Sequence, residues 1–397
     1  MELAGLKIVL SLLTAFWIQP CYGVNIASLE NINMTEYEKV TLPYLHDNNK
    51  TVEVNVSMYI LNIGNMNTRE MTFEVEMYFS MNWTDPRLAF EEYHNASYAL
   101  VTGEIAYENI WVPDLFIRNM KFVESSKFLK DLSGVMIYPD GVITLSSRLR
   151  VVAHCEMDLL MFPLDSQSCN LMIESYLYHT DVMKTYWAED PIVVDKRRDG
   201  RKTEIDTWMG FTLEETKTAY NRYIYPLNGL EFHYMIATFV LKREPQYYIL
   251  RGFIPSSLLV CLTWASFWIP TTSYPARIGI VVTSFLASIV LYTGSTLDSH
   301  QMTVMQMFLF GNIAFIGLTL IEFLMAIRSD KKRKMKQKVI IAIDLIKEDN
   351  QTIEKADSKT SDVGKEKENL VDKRARYIIP FVYLLYLAIF VAVIMFH

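Results

Sequence analysis

The sequence predicts a two-part membrane protein, an extracellular immunoglobulin-like β-sandwich followed by a four-helix transmembrane bundle. Three observations carry this prediction. Short segments with alternating apolar and polar residues, such as residues 51–58 and 71–77, fill the first two-thirds of the 397 residues, as is typical of half-buried strands. Nearly all the long apolar runs lie in the last third. A short apolar run at the N-terminus is typical of a secretory signal.

The N-terminal region predicts export. Lys7 precedes an apolar run at residues 8–16, and Gly23 supplies a small residue before the expected cleavage point. The run is too short to span a bilayer, since spanning takes about 20 residues. The chain beyond it would enter an oxidising, glycosylating compartment, and five N-x-S/T sequons are expected to carry glycans: Asn33, Asn49, Asn55, Asn82 and Asn95.

Four apolar segments have the length of membrane helices, at residues 249–268, 277–297, 303–327 and 377–396. A basic run at residues 331–338 places the linker after the third segment in the cytoplasm. Both termini are then extracellular, at the plasma membrane. We expect five regions: a signal peptide at 1–23, the sandwich at 24–248, three helices at 249–328, the cytoplasmic linker at 329–376 and a fourth helix at 377–397.

Composition and cysteine usage narrow the class further. The net charge of −7 gives no indication of nucleic-acid binding. Cys21 lies in the signal peptide and Cys261 in an apolar helix, so Cys155 and Cys169 are the one exported pair and one possible disulfide. The sequence contains no Gly-rich phosphate loop, no His-Glu-x-x-His motif and no clustered catalytic triad. We therefore expect no enzyme activity, no cofactor and no metal site.

One motif sharpens the interpretation. Cys155 and Cys169 enclose thirteen residues that include Phe162-Pro163-Leu164-Asp165. This pattern resembles the signature loop of the Cys-loop receptor family, the pentameric ligand-gated channels that include nicotinic, glycine, GABA and glutamate-gated members. Two more segments are similar to landmarks of that ectodomain: Trp83-Thr84-Asp85-Pro86-Arg87-Leu88 and Trp111-Val112-Pro113-Asp114-Leu115. The resemblance covers almost the whole mature chain.

The resemblance implies a coupling role for the loop. Its apolar tip, with Phe162 and Pro163, would press on the connections between membrane helices. Pro163 would fix a turn in this tip. Asp165 is expected to pair with a basic residue near the first membrane helix, such as Arg243. The family also implies four further subunits, a small-molecule agonist, a permeant ion and surrounding membrane lipid as partners.

The second apolar segment carries the pore prediction. Small and apolar residues recur every three to four positions and would share one helix face: Gly279, Thr283, Leu286, Val290 and Thr293. A small-residue packing stripe between helices is the alternative interpretation. Five copies of Leu286 would form an apolar ring that gates by dewetting, which is what the family resemblance implies.

The cytoplasmic mouth favours anions. Ala276 stands where cation-selective relatives typically carry Glu, and Arg277 follows it. The Pro-Ala-Arg sequence resembles the glycine and GABA receptor type, so chloride is the expected permeant ion. Asp298, at the outer end of the segment, opposes this because many anion channels carry basic residues there.

The resemblance implies a ligand site at the subunit interface, with an aromatic box that would hold an amine by cation–π attraction. On the principal side the candidates are Phe116, Arg118, Glu174, Tyr176, Tyr178, Tyr223, Tyr225 and Phe232. On the complementary side they are Tyr78, Ser146 and Arg148.

Departures from the family pattern keep other functions open. Ser80 stands where glycine and GABA receptors carry the Arg that holds the agonist carboxylate, and residues 297–302 lack the usual proline and lysine. A cation-selective channel of the same family is one alternative. A subunit that binds ligand but does not conduct alone is the other. A transporter is not favoured, because such proteins usually have several ionisable residues in their membrane spans and internal repeats. This sequence has few of the former and no visible repeat.

Overall fold

The structure is a computed structural model that describes residues 26–27, 32, 34, 37–44, 50–90, 97–195, 197–198, 201–202, 207–208, 210–270, 273–295, 302–348 and 370–396. The predicted signal peptide and the sequons at Asn33, Asn49 and Asn95 lie outside these residues. The described chain forms two compact units. The first lies within residues 1–156, 168–209 and 213–240, and the second within 157–167, 210–212 and 241–397.

The first unit contains an eight-stranded sheet. Its order is β1–β4–β7–β8–β3–β2–β10, and β6 pairs with β8. The strands are β1 (Ile26–Ala27), β2 (Val52–Asn67), β3 (Thr72–Thr84), β4 (Tyr98–Thr102), β6 (Met120–Ser125), β7 (Ser133–Ile137), β8 (Val142–His154) and β10 (Met183–Val194). The pairs β2–β3 and β3–β8 are antiparallel, whereas β10 runs parallel to β2.

A five-stranded sheet has the order β13–β14–β15–β9–β5. It comprises β5 (Leu115–Ile117), β9 (Ser166–Ser175), β13 (Thr207–Trp208), β14 (Phe211–Ile224) and β15 (Glu231–Arg243), and a separate short ribbon joins β11 (Arg197–Arg198) to β12 (Arg201–Lys202). A short helix, α1 (Gly103–Asn109), follows β4. The β14–β15 hairpin turns where Tyr225 N donates to Leu230 O at 2.9 Å, and Gly229 there adopts a left-handed φ of 70°.

Side-chain alternation explains why these segments form strands with a common core. In β2 every second residue is fully buried, from Val54 through Met58 to Ile60, while Asn55 between them is exposed. Phe73 of β3 packs on Phe239 of β15 with ring centroids 6.3 Å apart. The β-sandwich and the four apolar helices of the predicted fold class are confirmed.

The exported cysteine pair forms the expected crosslink. Cys155, just after β8, and Cys169, in β9, are joined by a disulfide with Cα atoms 5.1 Å apart. The crosslink closes the loop that contains Phe162-Pro163-Leu164-Asp165, where Leu164 N donates to Met161 O at 2.8 Å in a tight turn. The two sequons within the described residues face each other across β2 and β3, where Asn55 pairs with Asn82.

The second unit contains four helices long and apolar enough to span a membrane. They are α2 (Gln246–Trp268), α3 (Tyr274–Gly294), α4 (Val304–Glu348) and α5 (Leu370–Phe396). Helix α4 is 45 residues long and continues past the basic run into the first part of the predicted linker.

Three polar side chains buried in the bundle hydrogen-bond to one another. Asn312 of α4 donates to Ser256 Oγ of α2 at 3.0 Å and accepts from the Tyr383 hydroxyl of α5 at 3.1 Å. Val260, Ile316 and Tyr383 form the centre of the packed interior around them. Three helices are thus joined through one buried asparagine, as expected where no water can replace a missing hydrogen bond.

Candidate functional site

The two tryptophan landmarks pack together in the first unit. Trp83 and Trp111 meet edge to face at 6.2 Å, and Trp111 also lies 6.0 Å from Tyr178, whose hydroxyl accepts a hydrogen bond from Trp111 Nε1 at 3.3 Å. Asp114 fixes the end of β9, because its carboxylate accepts from Ser175 Oγ at 2.6 Å and from Leu177 N at 2.7 Å. These contacts hold the segment after β9 against β5.

A cluster of charged and aromatic side chains lies on the five-stranded sheet; it is called here the Arg118 cluster, and it comprises Phe116, Arg118, Glu174, Tyr176, Tyr223, Phe232 and Tyr234. Strands β5 and β9 are antiparallel and pair Phe116 with Glu174. The ring of Phe116 meets that of Tyr176 at 5.9 Å. Tyr223 stacks on Phe232 at 5.9 Å with an interplanar angle of 21°.

Arg118 occupies the centre of this cluster. Its guanidinium carbon lies 4.8 Å from the ring centroid of Tyr223 and 5.4 Å from that of Tyr234. Its Nη1 lies 3.6 Å from Glu174 Oε2. Glu174 is only 4% exposed, whereas the side chain of Arg118 is 44% exposed. The cluster therefore contains a buried carboxylate covered by a half-exposed cation.

Electrostatics in the cluster follow from this burial. Burial raises the pKa of Glu174, and the nearby Arg118 charge and a hydrogen bond from Tyr223 oppose the rise. Burial also raises the pKa of Tyr223, and the Glu174 carboxylate adds to that shift. Both shifts have the sign expected when a negative charge is costly in an apolar surrounding.

The predicted complementary residues lie together on the eight-stranded sheet. Tyr78 of β3 is directly opposite Arg148 of β8, and Ser80 donates a hydrogen bond to Ser146 at 3.2 Å. Arg148 Nη2 lies 3.6 Å from Glu76 Oε2. Arg148 and Glu76 line a groove of about 540 Å³ with Glu124, Phe128 and Arg150.

Nine of the eleven predicted ligand residues thus fall into two groups, six in the Arg118 cluster and three in the patch that contains Tyr78 and Arg148. Tyr178 packs on Trp111, and Tyr225 lies at the hairpin turn near Tyr223. Sequence reasoning missed Tyr234, and the period-two alternation that places it on the same face as Phe232 could have found it. It also missed Tyr59, whose ring lies 6.3 Å from Tyr78.

The disulfide-closed loop contacts the starts of two helices within the second unit. Asp165 and Arg243 form two hydrogen bonds, with Nε–Oδ1 at 2.8 Å and Nη2–Oδ2 at 3.1 Å, so the predicted pairing is confirmed. Phe162 is buried against Tyr248 at 4.7 Å, and Arg243 lies 4.8 Å from its ring.

The backbone of the loop is also fixed to helix α4. Val304 N donates to Leu160 O at 2.8 Å, and Met305 N donates to Phe162 O at 3.2 Å. These donors belong to the first turn of α4, where amide groups have no partner within the helix. The loop tip therefore caps one helix while its aspartate contacts the strand that leads into another.

Helix α3 presents a continuous exposed face. Most of the residues of the predicted pore stripe lie on it: Ala276, Gly279, Thr283, Leu286, Val290 and Thr293. Val281, Ser284 and Ser288 are buried on the opposite side. The helix therefore has one face packed within the chain and one face that the chain leaves open.

Arg277 does not share the open face. Its side chain is fully buried, with Nη2 3.4 Å from Glu322 Oε2 of α4 and its guanidinium over the rings of Phe323 at 5.0 Å and Phe267 at 5.7 Å. The prediction that Arg277 lies at the pore mouth rested on its position one residue after Ala276. A 100° turn per residue instead points it into the bundle, where a buried carboxylate compensates its charge.

Within the described parts of the chain, no three His, Cys, Asp or Glu side chains converge to hold a metal ion. The sites above are built instead from single ion pairs, aromatic rings and hydroxyl groups. Groups of these kinds bind and orient organic or ionic ligands.

The described chain combines a β-sandwich and a disulfide-closed loop with four helices that are long and apolar enough to span a membrane. Comparison with known families agrees, since residues 28–245 match the neurotransmitter-gated ion-channel ligand binding domain. The chain belongs to this family, the Cys-loop receptors, as its signature loop predicted. The matched family is one of ion channels and not of enzymes.

Known relatives include three subunits of mammalian receptors. The chain is 30% identical over 302 residues to the gamma-aminobutyric acid receptor subunit rho-1 of Rattus norvegicus, covering 72% of this chain and 60% of the relative. It is 27% identical over 295 residues to the human rho-2 subunit, covering 72% and 62%. It is 29% identical over 280 residues to the human rho-3 subunit, covering 68% and 57%. The chain thus spans about three-fifths of the length of these relatives.

Proposed function

We propose that this chain is one subunit of a pentameric channel, selective for chloride and opened by a small amine-bearing molecule bound between subunits. The observation that carries the proposal is the open face of α3. A single chain leaves Leu286 and Val290 57% and 68% exposed in a spanning helix. Five such faces around one axis would enclose a pore with a leucine ring near its middle, which gates by dewetting.

The chemistry of this face supports anion permeation. None of the 21 residues of α3 is acidic. Because Pro275 and Ala276 are exposed at the N-terminus of α3, the positive end of five helix dipoles would face the narrow mouth. The Arg277 charge contributes little there, since it is buried beside Glu322. Selectivity on this proposal comes from helix dipoles and from the missing carboxylate ring.

The ligand would bind where the Arg118 cluster of one subunit meets the Tyr78–Arg148 patch of the next. The relatives are named as gamma-aminobutyric acid receptor subunits, which supports a small ligand with an amine. Glu174 and the rings of Phe116, Tyr176 and Tyr223 offer a carboxylate and π-faces for such a cation. Arg148 on the complementary patch offers a cation for an acid group.

The disulfide-closed loop would carry the signal to the pore helices. Through Leu160, Phe162 and Asp165 it contacts the start of α4 and the strand before α2. A ligand that binds the open arrangement more tightly than the closed one shifts the population by that difference in affinity. A loop hydrogen-bonded to the start of α4 and to the strand that leads into α2 is an element through which the shift could pass.

Membrane orientation completes the proposal. Both termini would be extracellular at the plasma membrane, with the basic extension of α4 (Lys331, Lys332 and Arg333 among it) in the cytoplasm. Asn55 and Asn82 would carry glycans on the extracellular side, together with the sequons outside the described residues.

Thiol labelling tests the pore face without knowledge of the agonist. In a Cys261→Ser background, because Cys261 is an exposed free thiol, Thr283→Cys and Val290→Cys should react with a charged, water-soluble thiol reagent. The matched controls Ser284→Cys and Ser288→Cys, on the buried face, should not react. Labelling is read as a mass shift on the purified full chain. If the open face contacts lipid instead, Thr283→Cys stays unlabelled and the proposal fails.

A further inference from the structure

The position of Arg118 is fixed by the backbone of the sheet. Arg118 N donates to Met172 O at 2.7 Å, which continues the β5–β9 ladder one step beyond the pairing of Ile117 with Ile173. The side chain therefore leaves the sheet beside Glu174, which stands next to it on the same strand pair. The guanidinium reaches the hairpin rings without any rearrangement of the backbone.

At that position the guanidinium makes the contacts that a bound cation would make. It is 3.6 Å from the buried Glu174 carboxylate and lies over two aromatic rings, Tyr223 at 4.8 Å and Tyr234 at 5.4 Å. The Tyr223 ring also stacks on Phe232. A carboxylate and two aromatic ring faces are the groups that typically bind an organic cation.

We infer that Arg118 is a tethered cation that occupies the cation-binding part of the ligand site, so that an amine ligand binds only when it displaces the Arg118 side chain. The inference rests on the proposed function, because it concerns the ligand of that same site. Arg118 is then a specificity-determining residue. It raises the concentration at which simple amines bind, and it favours ligands whose cation competes well with a planar guanidinium.

The expected size of the effect follows from occupancy. We call the Glu174 carboxylate with the rings of Tyr223 and Tyr234 the cage. The apparent affinity for a ligand is the intrinsic affinity multiplied by the fraction of time that the site is free. If Arg118 fills the cage about nine-tenths of the time, amine binding is therefore about tenfold weaker. Cation–π contacts of the strength found at half-exposed sites are sufficient for such an occupancy. Displacement is feasible because the Arg118 side chain, 44% exposed, can move into water.

The test uses tetramethylammonium, a cation without an acid group, and measures its binding to the purified full chain by titration calorimetry. Arg118→Gln should bind it about tenfold more tightly than the native chain. Arg118→Lys retains a tethered positive charge and should stay close to native. Arg222→Gln is the matched control, because Arg222 lies on the same hairpin and pairs with Glu231 at 3.4 Å while its side chain is 80% exposed.

Three results would overturn the inference. Equal or weaker binding of tetramethylammonium by Arg118→Gln would mean that the Arg118 side chain does not keep this cation away from Glu174 and the two tyrosine rings. If Arg118→Lys increases the affinity for tetramethylammonium as much as Arg118→Gln does, the effect comes from the space that the side chain fills and not from its charge. If Arg222→Gln increases that affinity equally, the effect comes from the net charge of the chain. None of these measurements requires ion current, so failure of the channel proposal would be seen separately.

Discussion

Asp165 of the disulfide-closed loop and Arg243 at the end of β15 form a buried, two-bond ion pair, with side chains only 2% and 5% exposed. Gln167 also donates to Asp165 at 2.6 Å, and Arg243 packs on the rings of Phe162 and Phe211. A charge this deeply buried depends on its partner, because neither member retains a hydration shell.

Asp165→Asn should therefore destabilise the chain strongly. Removing one partner from a buried pair costs about 3–5 kcal/mol, since the remaining charge loses its compensation. We expect a clear fall in the melting temperature of the purified full chain and reduced surface abundance in cells. The control is Asp181→Asn, because Asp181 is 91% exposed beside His179 and should have almost no effect. Equal losses in the two variants would contradict a structural role for the pair.

Acid should weaken the first unit partly through Glu74. Hydrogen bonds from Arg150, the shortest at 2.6 Å, hold the pKa of Glu74 below its ordinary value of 4.5, although burial opposes them. Since the folded pKa is lower than the unfolded one, the stabilisation is present above 4.5 and is lost as pH falls through the folded pKa.

Glu74→Gln should consequently flatten the acid side of the stability curve. The measurement is the melting temperature of the purified full chain as a function of pH. The matched control is Glu124→Gln, because Glu124 faces the same Arg150 at 4.0 Å but is 57% exposed. If both variants keep the native acid profile, the Glu74–Arg150 bond does not contribute as described.

Arg277 and Glu322 should behave as a coupled pair in the membrane bundle. Glu322→Gln leaves a buried guanidinium without its carboxylate and should cost about 3 kcal/mol, seen as lower yield and melting temperature of the purified chain. The double variant Arg277→Gln with Glu322→Gln should recover much of that loss, because it removes both charges. Strictly additive losses would show that the two residues do not interact.

The sequence predicted those parts of the molecule that depend on local patterns. Alternation located β2 and β3, apolar length located the four helices, and a motif within fifteen residues located the loop and its disulfide. The Asp165–Arg243 pair was also expected, since Asp165 lies in the loop that the family resemblance places beside the membrane helices and Arg243 lies just before the first of those helices.

The remaining features depend on distant partners. Burial of Arg277 requires Glu322, which is 45 residues later on another helix. The position of Arg118 between Glu174 and Tyr223 requires three separate strands to meet. The period of a helix or strand fixes which residues share a face, but it does not state which face another element will cover. Such contacts emerge only when the elements pack.

The most direct test of the channel proposal concerns Leu286. Leu286→Thr, expressed alone in oocytes, should hydrate the apolar ring and give a current without agonist. For a chloride-selective pore, lowering external chloride should move the reversal potential to more positive voltages, while replacing external sodium should leave it unchanged. A reversal potential that follows sodium would contradict anion selectivity. Surface expression without current would favour the alternative, a subunit that binds ligand but does not conduct alone.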